Sequence, residues 1–242
     1  MVRLSERLEV IAGFIKTGDR VADIGTDHGY IPMYLRQSGI SEYVVAGDVN
    51  PGPLEKMEEN LKRHFGDCRE GIMMRLGAGL SVIDVGEVDT VVIAGMGGLL
   101  IRKILEEDID KALTLKRLIL QPRNAPDRLR EWLLKNGFRI TGEKLARESR
   151  FVWEIICAEP VSKGYNAEIE YFGNAEKQYE VGMCLILNND PLLTEFIDRK
   201  LAVERRIAVN AAHAEGDGGI LSRKTAEKKI AMLEEIRQNG DR

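Results

Sequence analysis

Strand and helix patterns alternate along the first two thirds of the chain, and few folds satisfy that alternation. "RVADIG", "YVVAGDVN", "EGIMMRLGAGL", "VDTVVIAGMGG" and "RLILQP" are short apolar runs closing on glycine, a polar residue or proline. Between them, apolar residues recur at helical intervals, as Leu54, Met57, Leu61 and Phe65 do in "PLEKMEENLKRHFG". "YIPMYLRQSG" reads as a helix with Pro32 in its first turn and Gly39 at its end. "PDRLREWLLKNG" reads as another, with Leu129, Trp132 and Leu133 inward and Gly137 as its stop. A helix from Ser5 to Ile15 precedes them all, with Ser5 as its expected cap. Continuous apolar strands joined by short helical crossovers predict an open, mostly parallel sheet covered on both faces. "FRITGEKLA" and "RFVWEIICAE" add a late antiparallel hairpin at one edge. Together these elements fill one domain over residues 1–159.

Residues 160–242 carry little strand pattern. Leu193, Phe196, Ile197, Leu201, Ile207, Ala208 and Ala211 recur at three- to four-residue spacing, and Ala226, Ile230, Leu233 and Ile236 repeat it beyond "GDGG" at Gly216–Gly219. Two antiparallel, coiled-coil-like helices are expected there.

Composition narrows the function classes. The chain is 44% hydrophobic, enough for a sizeable core, and its net charge of −4 excludes a molecule that binds nucleic acid by overall basicity. Cys68, Cys157 and Cys184 are widely spaced, without metal-ligand spacing, and read as reduced thiols of a cytoplasmic protein. No metal site is expected. No apolar run approaches the ~20 residues of a membrane helix, so no membrane partner is expected.

Ligands of open parallel sheets bind outside the carboxyl ends of the strands. Four stretches fall there. The first holds Asp23, Gly25, Thr26, Asp27, His28 and Gly29, and the second Asp48 and Val49, about twenty residues on. The third is "GAGL", with Ala78 and Gly79, and the fourth runs through Ala94, Gly95, Met96, Gly97 and Gly98. A carboxylate at position 48 is suited to two ribose hydroxyls. Asp23 and Asp27 would repel a pyrophosphate but favour a cation, which points to S-adenosylmethionine, a sulfonium and ammonium nucleoside, over a nicotinamide dinucleotide. "GMGGLL" after a strand invites the dinucleotide reading, but the next strand ends in Gln121-Pro122 with no ribose acid. Each feature also has a plainer use: Asp27 or His28 as a helix cap, Asp48 as a turn residue before Asn50-Pro51, and the glycines at 95, 97 and 98 as a tight turn.

"ADIGTDHGYIP", "AGDVNPGPL", "VDTVVIAGMGG", "LILQP" and "WEIICAE", in this order, resemble the bacterial tRNA (adenine-22-N1)-methyltransferase family. "YFGN" at 171–174 and the helix pair extend the likeness into the tail. The resemblance implies an α/β fold: a Rossmann-like class I methyltransferase domain with a helical C-terminal extension. It also implies S-adenosylmethionine as methyl donor, S-adenosylhomocysteine as product and tRNA as substrate. By motif, Asp23, Gly25 and Gly29 match the first donor-binding motif, with Asp27 where the wider superfamily often has glycine. Asp48 matches the ribose acid. Ala78 departs from a position that is often polar, leaving backbone groups for any adenine contact there. Ala94 to Gly98 match the loop beside the methyl group and target base.

On this reading the catalytic candidates are Asp27, to orient the adenine amino group or stabilise a positive product, and Tyr30, to stack on or hydrogen-bond the base. Gly97, Gly98, Arg123 and Arg128 are the candidate substrate-binding residues. Residues 111–150 hold 11 Lys/Arg against 4 acids, a candidate basic face for RNA phosphates, whereas 161–242 hold 12 against 14. Two other classes remain open from the residues alone: a methyltransferase for small molecules, and an interaction protein that uses the helix pair and keeps the cofactor fold.

Overall fold

The fold was analysed in a computed structural model that describes residues 2–66, 71–173, 178–212 and 217–240. Cys68, Asn174 of "YFGN" and Gly216 of the expected turn lie outside these residues. The chain runs α1 (Glu6–Gly13), β1 (Val21–Ile24), α2 (Tyr30–Gln37), β2 (Val44–Asp48), α3 (Pro51–Phe65), β3 (Ile72–Leu76), a 3-10 turn (Gly79–Val82), β4 (Thr90–Met96), α4 (Gly98–Glu107), α5 (Ile109–Ala112) and β5 (Arg117–Pro122). It continues through α6 (Pro126–Lys135), β6 (Phe138–Glu148), β7 (Phe151–Pro160), α7 (Ala167–Phe172), α8 (Met183–Leu187), α9 (Leu193–Ala212) and α10 (Asp217–Gly240).

The strands form one seven-stranded sheet in the order β3-β2-β1-β4-β5-β7-β6. β1 to β5 are parallel, and β7 runs antiparallel to both β5 and β6. Every residue of β1, β2 and β5 is buried, because helices cover both faces of the sheet. The winding reverses between β1 and β4, which opens a crevice at their carboxyl ends, where such sheets bind ligands. One apolar layer of the core joins Ile11 and Ile15 to Val21, Ile31, Leu35, Val44, Val92 and Ile119. A second sets Met57 and Leu61 of α3 against Met33 and Ala46.

Ser5 stands at the N-terminus of α1, but its side chain makes no capping bond. It donates instead to Glu148 Oε1 at 2.5 Å, so a long-range contact replaces the expected local one.

The described residues divide into two compact units, Met1–Cys184 and Leu185–Arg242. The segment after residue 159 therefore stays with the first unit as far as Cys184, beyond the sequence-based boundary. The cause is a buried ionic cluster. Arg130 is fully buried and pairs with Glu143 at 2.6 Å and with Glu154. Arg130 also donates to the Tyr179 carbonyl at 3.0 Å. Glu143 accepts from Tyr171 Oη at 2.7 Å and from Cys184 N at 3.2 Å. In the second unit α9 and α10 are joined by ion pairs Asp198–Arg237, Glu204–Lys229 and Arg205–Glu234, an antiparallel order. Ile207, expected on the inner stripe, is 38% exposed.

Candidate functional site

The loop after β1 is shaped by its backbone. Gly25 N and Thr26 N both donate to the Gly47 carbonyl, at 2.7 and 3.2 Å, and fold the loop over the end of β2. Gly25 has φ +76°, and a Cβ there would overlap Cε of Met96. The first and fourth glycine stretches thus meet at the reversal between β1 and β4. Asp27 takes φ +48°, the left-handed region where aspartate is one of the few tolerated side chains. An acid holds the glycine-like conformation at this position.

Neither Asp27 nor His28 caps α2. The cap position is Gly29, and no side chain bonds the helix start. The Asp27 and His28 side chains are both exposed and lie 3.5 Å apart. The His28 ring is 5.7 Å from that of Tyr30, which is 40% exposed. Asn60 Nδ2 of α3 donates to the His28 carbonyl at 3.1 Å and fixes the loop from the other side. Asp27, His28 and Tyr30 therefore form one exposed polar and aromatic cluster at the mouth of the crevice.

Two further carboxylates lie deeper. Asp23 is buried and accepts from Thr26 Oγ1 at 2.8 Å. Burial pushes its pKa up to about 6 against the Thr26 hydrogen bond, and the charge of Asp48 adds to the rise. Asp48 Oδ1 accepts from Asn50 N at 2.9 Å, so the expected turn role is present beside any ligand role. Its carbonyl accepts from Gly77 N at 2.9 Å, which draws the "GAGL" stretch alongside. Ala78 is extended and leads into the 3-10 turn that starts at Gly79. Val49 and Leu76 stay exposed at these strand ends.

The β4 loop is locked to the loop after β5. The β4/β5 register shifts between Ala94 and Met96, where Gly95 has φ +78°. Gly95 N donates to Gln121 Oε1 at 3.1 Å, Arg123 N to the Met96 carbonyl at 2.8 Å, and Gly98 N to the Asn124 carbonyl at 3.0 Å. A Cβ on Gly98 would lie 2.6 and 2.7 Å from the carbonyl oxygens of Ala125 and Asn124, too close for any side chain. Gly97 sits against the Asn124 side chain.

Gln121 and Arg7 are site-supporting residues that the sequence patterns did not single out. Arg7 Nη1 donates to Gln121 Oε1 at 3.0 Å, and Arg7 Nε to Glu148 Oε2 at 2.8 Å. No local pattern could have found Arg7, because its partners are more than a hundred residues away.

The basic stretch at 111–150 does not form a single face. Arg117 and Arg130 are buried in ion pairs, and Lys111 donates to the carbonyls of Leu80 and Ile83. Arg139 pairs with Glu159 and Lys116 with Asp89. Arg123 is exposed beside the β4 loop, and the equally exposed Arg128 lies near Asp127 and Glu131 on α6. Charge counting overstated the face because it cannot separate buried partners from exposed ones.

The side chains that face the crevice are three acids, Asp23 and Asp48 inside and Asp27 at the mouth, and the N–H groups of Gly25, Thr26, Gly77, Gly95 and Gly98 are engaged in loop-to-loop bonds. Such a set suits the hydroxyls and positive charges of S-adenosylmethionine and disfavours a phosphate chain. Among the described residues no group of side chains has metal-ligand geometry.

Comparison with known proteins agrees with this geometry. The methyltransferase-domain family profile matches residues 4–156. The tRNA (adenine(22)-N(1))-methyltransferase of Bacillus subtilis is 37% identical over 158 residues, a match spanning 65% of this chain and 66% of that enzyme. The crystal structure of the B. subtilis m1A22 tRNA methyltransferase TrmK superposes with a TM-score of 0.85 at 28% identity, covering 98% of this chain and all of that one. A Streptococcus pneumoniae protein solved in complex with S-adenosyl-L-methionine gives a TM-score of 0.78 at 30% identity over 97% of this chain and 100% of that one. With the winding reversal, the acid-lined loops and these similarities together, the chain belongs to the tRNA (adenine-22-N1)-methyltransferase family of Rossmann-like methyltransferases.

Proposed function

We propose that this chain methylates N1 of adenine 22 in tRNA, with S-adenosylmethionine as donor, in the cytoplasm. The observation that carries the reading is the meeting of Gly25 and Met96 at the β1/β4 reversal, between buried acids and an exposed Asp27–Tyr30 cluster. The base and its position come from the relatives named for that reaction. We assign the chemistry to residues 1–159 and none of its steps to the helical remainder, 160–242.

When bound, S-adenosylmethionine would supply a sulfonium methyl whose carbon the N1 lone pair attacks, breaking the methyl–sulfur bond to leave S-adenosylhomocysteine and a cationic base. On this reading Asp23 faces the donor's positive charge and Asp48 its ribose. Met96 and the rigid β4 loop fix the line of approach, and Asp27 and Tyr30 hold the adenine. Alignment of this kind is worth ~7–11 kcal/mol in well-oriented systems, so no strong base is required. N1 lies on the pairing edge, so the adenine must be unpaired or turned out of its stack.

The test is to incubate tRNA lacking the modification with the protein and methyl-labelled donor, then map the product nucleoside. Label at N1 of adenine 22 is expected. Transfer to metabolites with none to tRNA would sink the reading in favour of a small-molecule methyltransferase.

A further inference from the structure

The hairpin of β6 and β7 outruns the sheet on the ligand side. Leu118, Ile119 and Leu120 pair with Ala158, Cys157 and Ile156, and the same register sets Pro122, the last residue of β5, opposite Glu154. β6 and β7 stay paired beyond that point, through Ala146–Trp153, Arg147–Val152 and Glu148–Phe151. Three residue pairs at ~3.3 Å each carry the tip about 10 Å past the carboxyl end of β5. Ser149, in the turn, has φ +56°.

The tip is anchored to the β4 loop. Glu148 accepts from Ser5 Oγ and Arg7 Nε, Arg7 donates on to Gln121, and Gln121 also accepts from Gly95 N. One run of hydrogen bonds thus fixes the tip relative to the loop assigned to methyl transfer. Arg123, on the neighbouring loop, adds to the positive charge around Glu148.

What the tip presents is basic and aromatic. Arg147 and Arg150 are exposed, and Phe151 is 46% exposed. The Arg150 guanidinium stands 5.1 Å from the Phe151 ring, and the tilted Trp153 ring lies 5.3 Å from it. An exposed aromatic ring beside an arginine, with a second exposed arginine in the same tip, matches single-stranded RNA, whose unstacked bases stack on rings while phosphates take the cations.

We propose that this hairpin tip, through Arg147, Arg150 and Phe151, grips the tRNA strand beside the target adenine. The proposal rests on the tRNA reading above. Phe151 stacks on a base that leaves the helix with the target, and the two arginines meet phosphates.

The experiment measures tRNA binding against salt, and S-adenosylmethionine binding separately, for the full chain and three variants. Phe151→Ala is expected to weaken tRNA binding about tenfold, within the range for a lost base stack, and Phe151→Tyr to restore it. The double variant Arg147→Ala/Arg150→Ala is expected to flatten the slope of log affinity against log salt by about 1.4, two single-strand phosphate contacts at ~0.7 each. Donor affinity is expected to stay within about twofold in all three, against the tenfold loss of one stack. Unchanged tRNA affinity and salt slope would overturn the proposal, as would a parallel loss of donor binding, which would make the tip structural. A wild-type protein that binds tRNA but methylates none sinks the activity reading alone, and the binding measurements still judge the hairpin.

Discussion

The methyl end of Met96 occupies the space that a side chain on Gly25 would need, so the loops after β1 and β4 interlock at one residue each. Gly25→Ala must either displace Met96 into the crevice or shift the loop, and it places alanine at φ +76°. The backbone strain alone costs about 1 kcal/mol. The variant is expected to remain folded and to raise the KM for S-adenosylmethionine by roughly tenfold, the equivalent of ~1.4 kcal/mol. Adding Met96→Ala should relieve the overlap but not the strain. Calorimetric titration of the single and double variants checks both effects.

Asp23 makes the donor site a stability cost. Its pKa of about 6 lies above the ordinary 3.8, so the folded state favours the protonated acid. The stability from this group is fully present below pH 3.8 and is lost as pH rises through 6. At pH 7 the difference amounts to about 3 kcal/mol. Asp23→Asn is therefore expected to raise Tm at pH 7 and to leave it little changed at pH 4, while weakening donor binding. A cationic donor favours the ionised acid, so wild-type donor affinity should climb between pH 5 and 6 and level off above 7. Thermal scans and titrations across that range decide it.

Asp27 separates turnover from donor affinity. Its carboxylate is exposed at the mouth, and its left-handed backbone suits asparagine as well as aspartate. Asp27→Asn thus removes charge without straining the loop. Loss of a hydrogen bond to a charged group, ~1.5–3 kcal/mol, predicts a drop in kcat of about ten- to a hundredfold with donor affinity nearly unchanged. Wild-type turnover in this variant would remove Asp27 from the reaction.

The alternation of β1 to β5 with their helices was legible because buried strands write continuous apolar runs and glycines mark the turns between them. The clustering of Asp23, Asp48 and the β4 loop followed from topology, since all end strands on one edge of the sheet. The conformation of Asp27 was not legible, because an acid in a glycine's backbone region looks like a helix cap. Nor was the fate of Arg130, which reads as one more surface charge on α6 until Glu143 and Glu154 are folded against it. The placement of residues 160–184 depended on that same cluster, through Tyr171 and Cys184, and no local periodicity records such contacts.

That cluster supplies a fourth prediction. Arg130→Met leaves Glu143 and Glu154 buried without their cation, which typically costs ~3–5 kcal/mol. The variant is expected to loosen the 166–184 segment first. Denaturant titration measures the loss, and faster hydrogen exchange at Tyr171 and Met183 locates it. Unchanged exchange there would mean that the segment is held by other contacts.

The bridge from Arg7 to Gln121 and Glu148 also has a consequence in time. Arg7 is made 141 residues before Glu148 and 114 before Gln121. At a synthesis rate of about 5–20 residues per second, its partners follow roughly six to thirty seconds later. Until then α1 has no ionic partner in this network, and the Gly95 loop lacks its brace. During synthesis the Gly95 loop therefore gains its brace once β5 has been made, while the ionic anchor of Arg7 waits for Glu148, so a nascent chain ending inside α6 would carry five of the seven strands and the brace without its anchor.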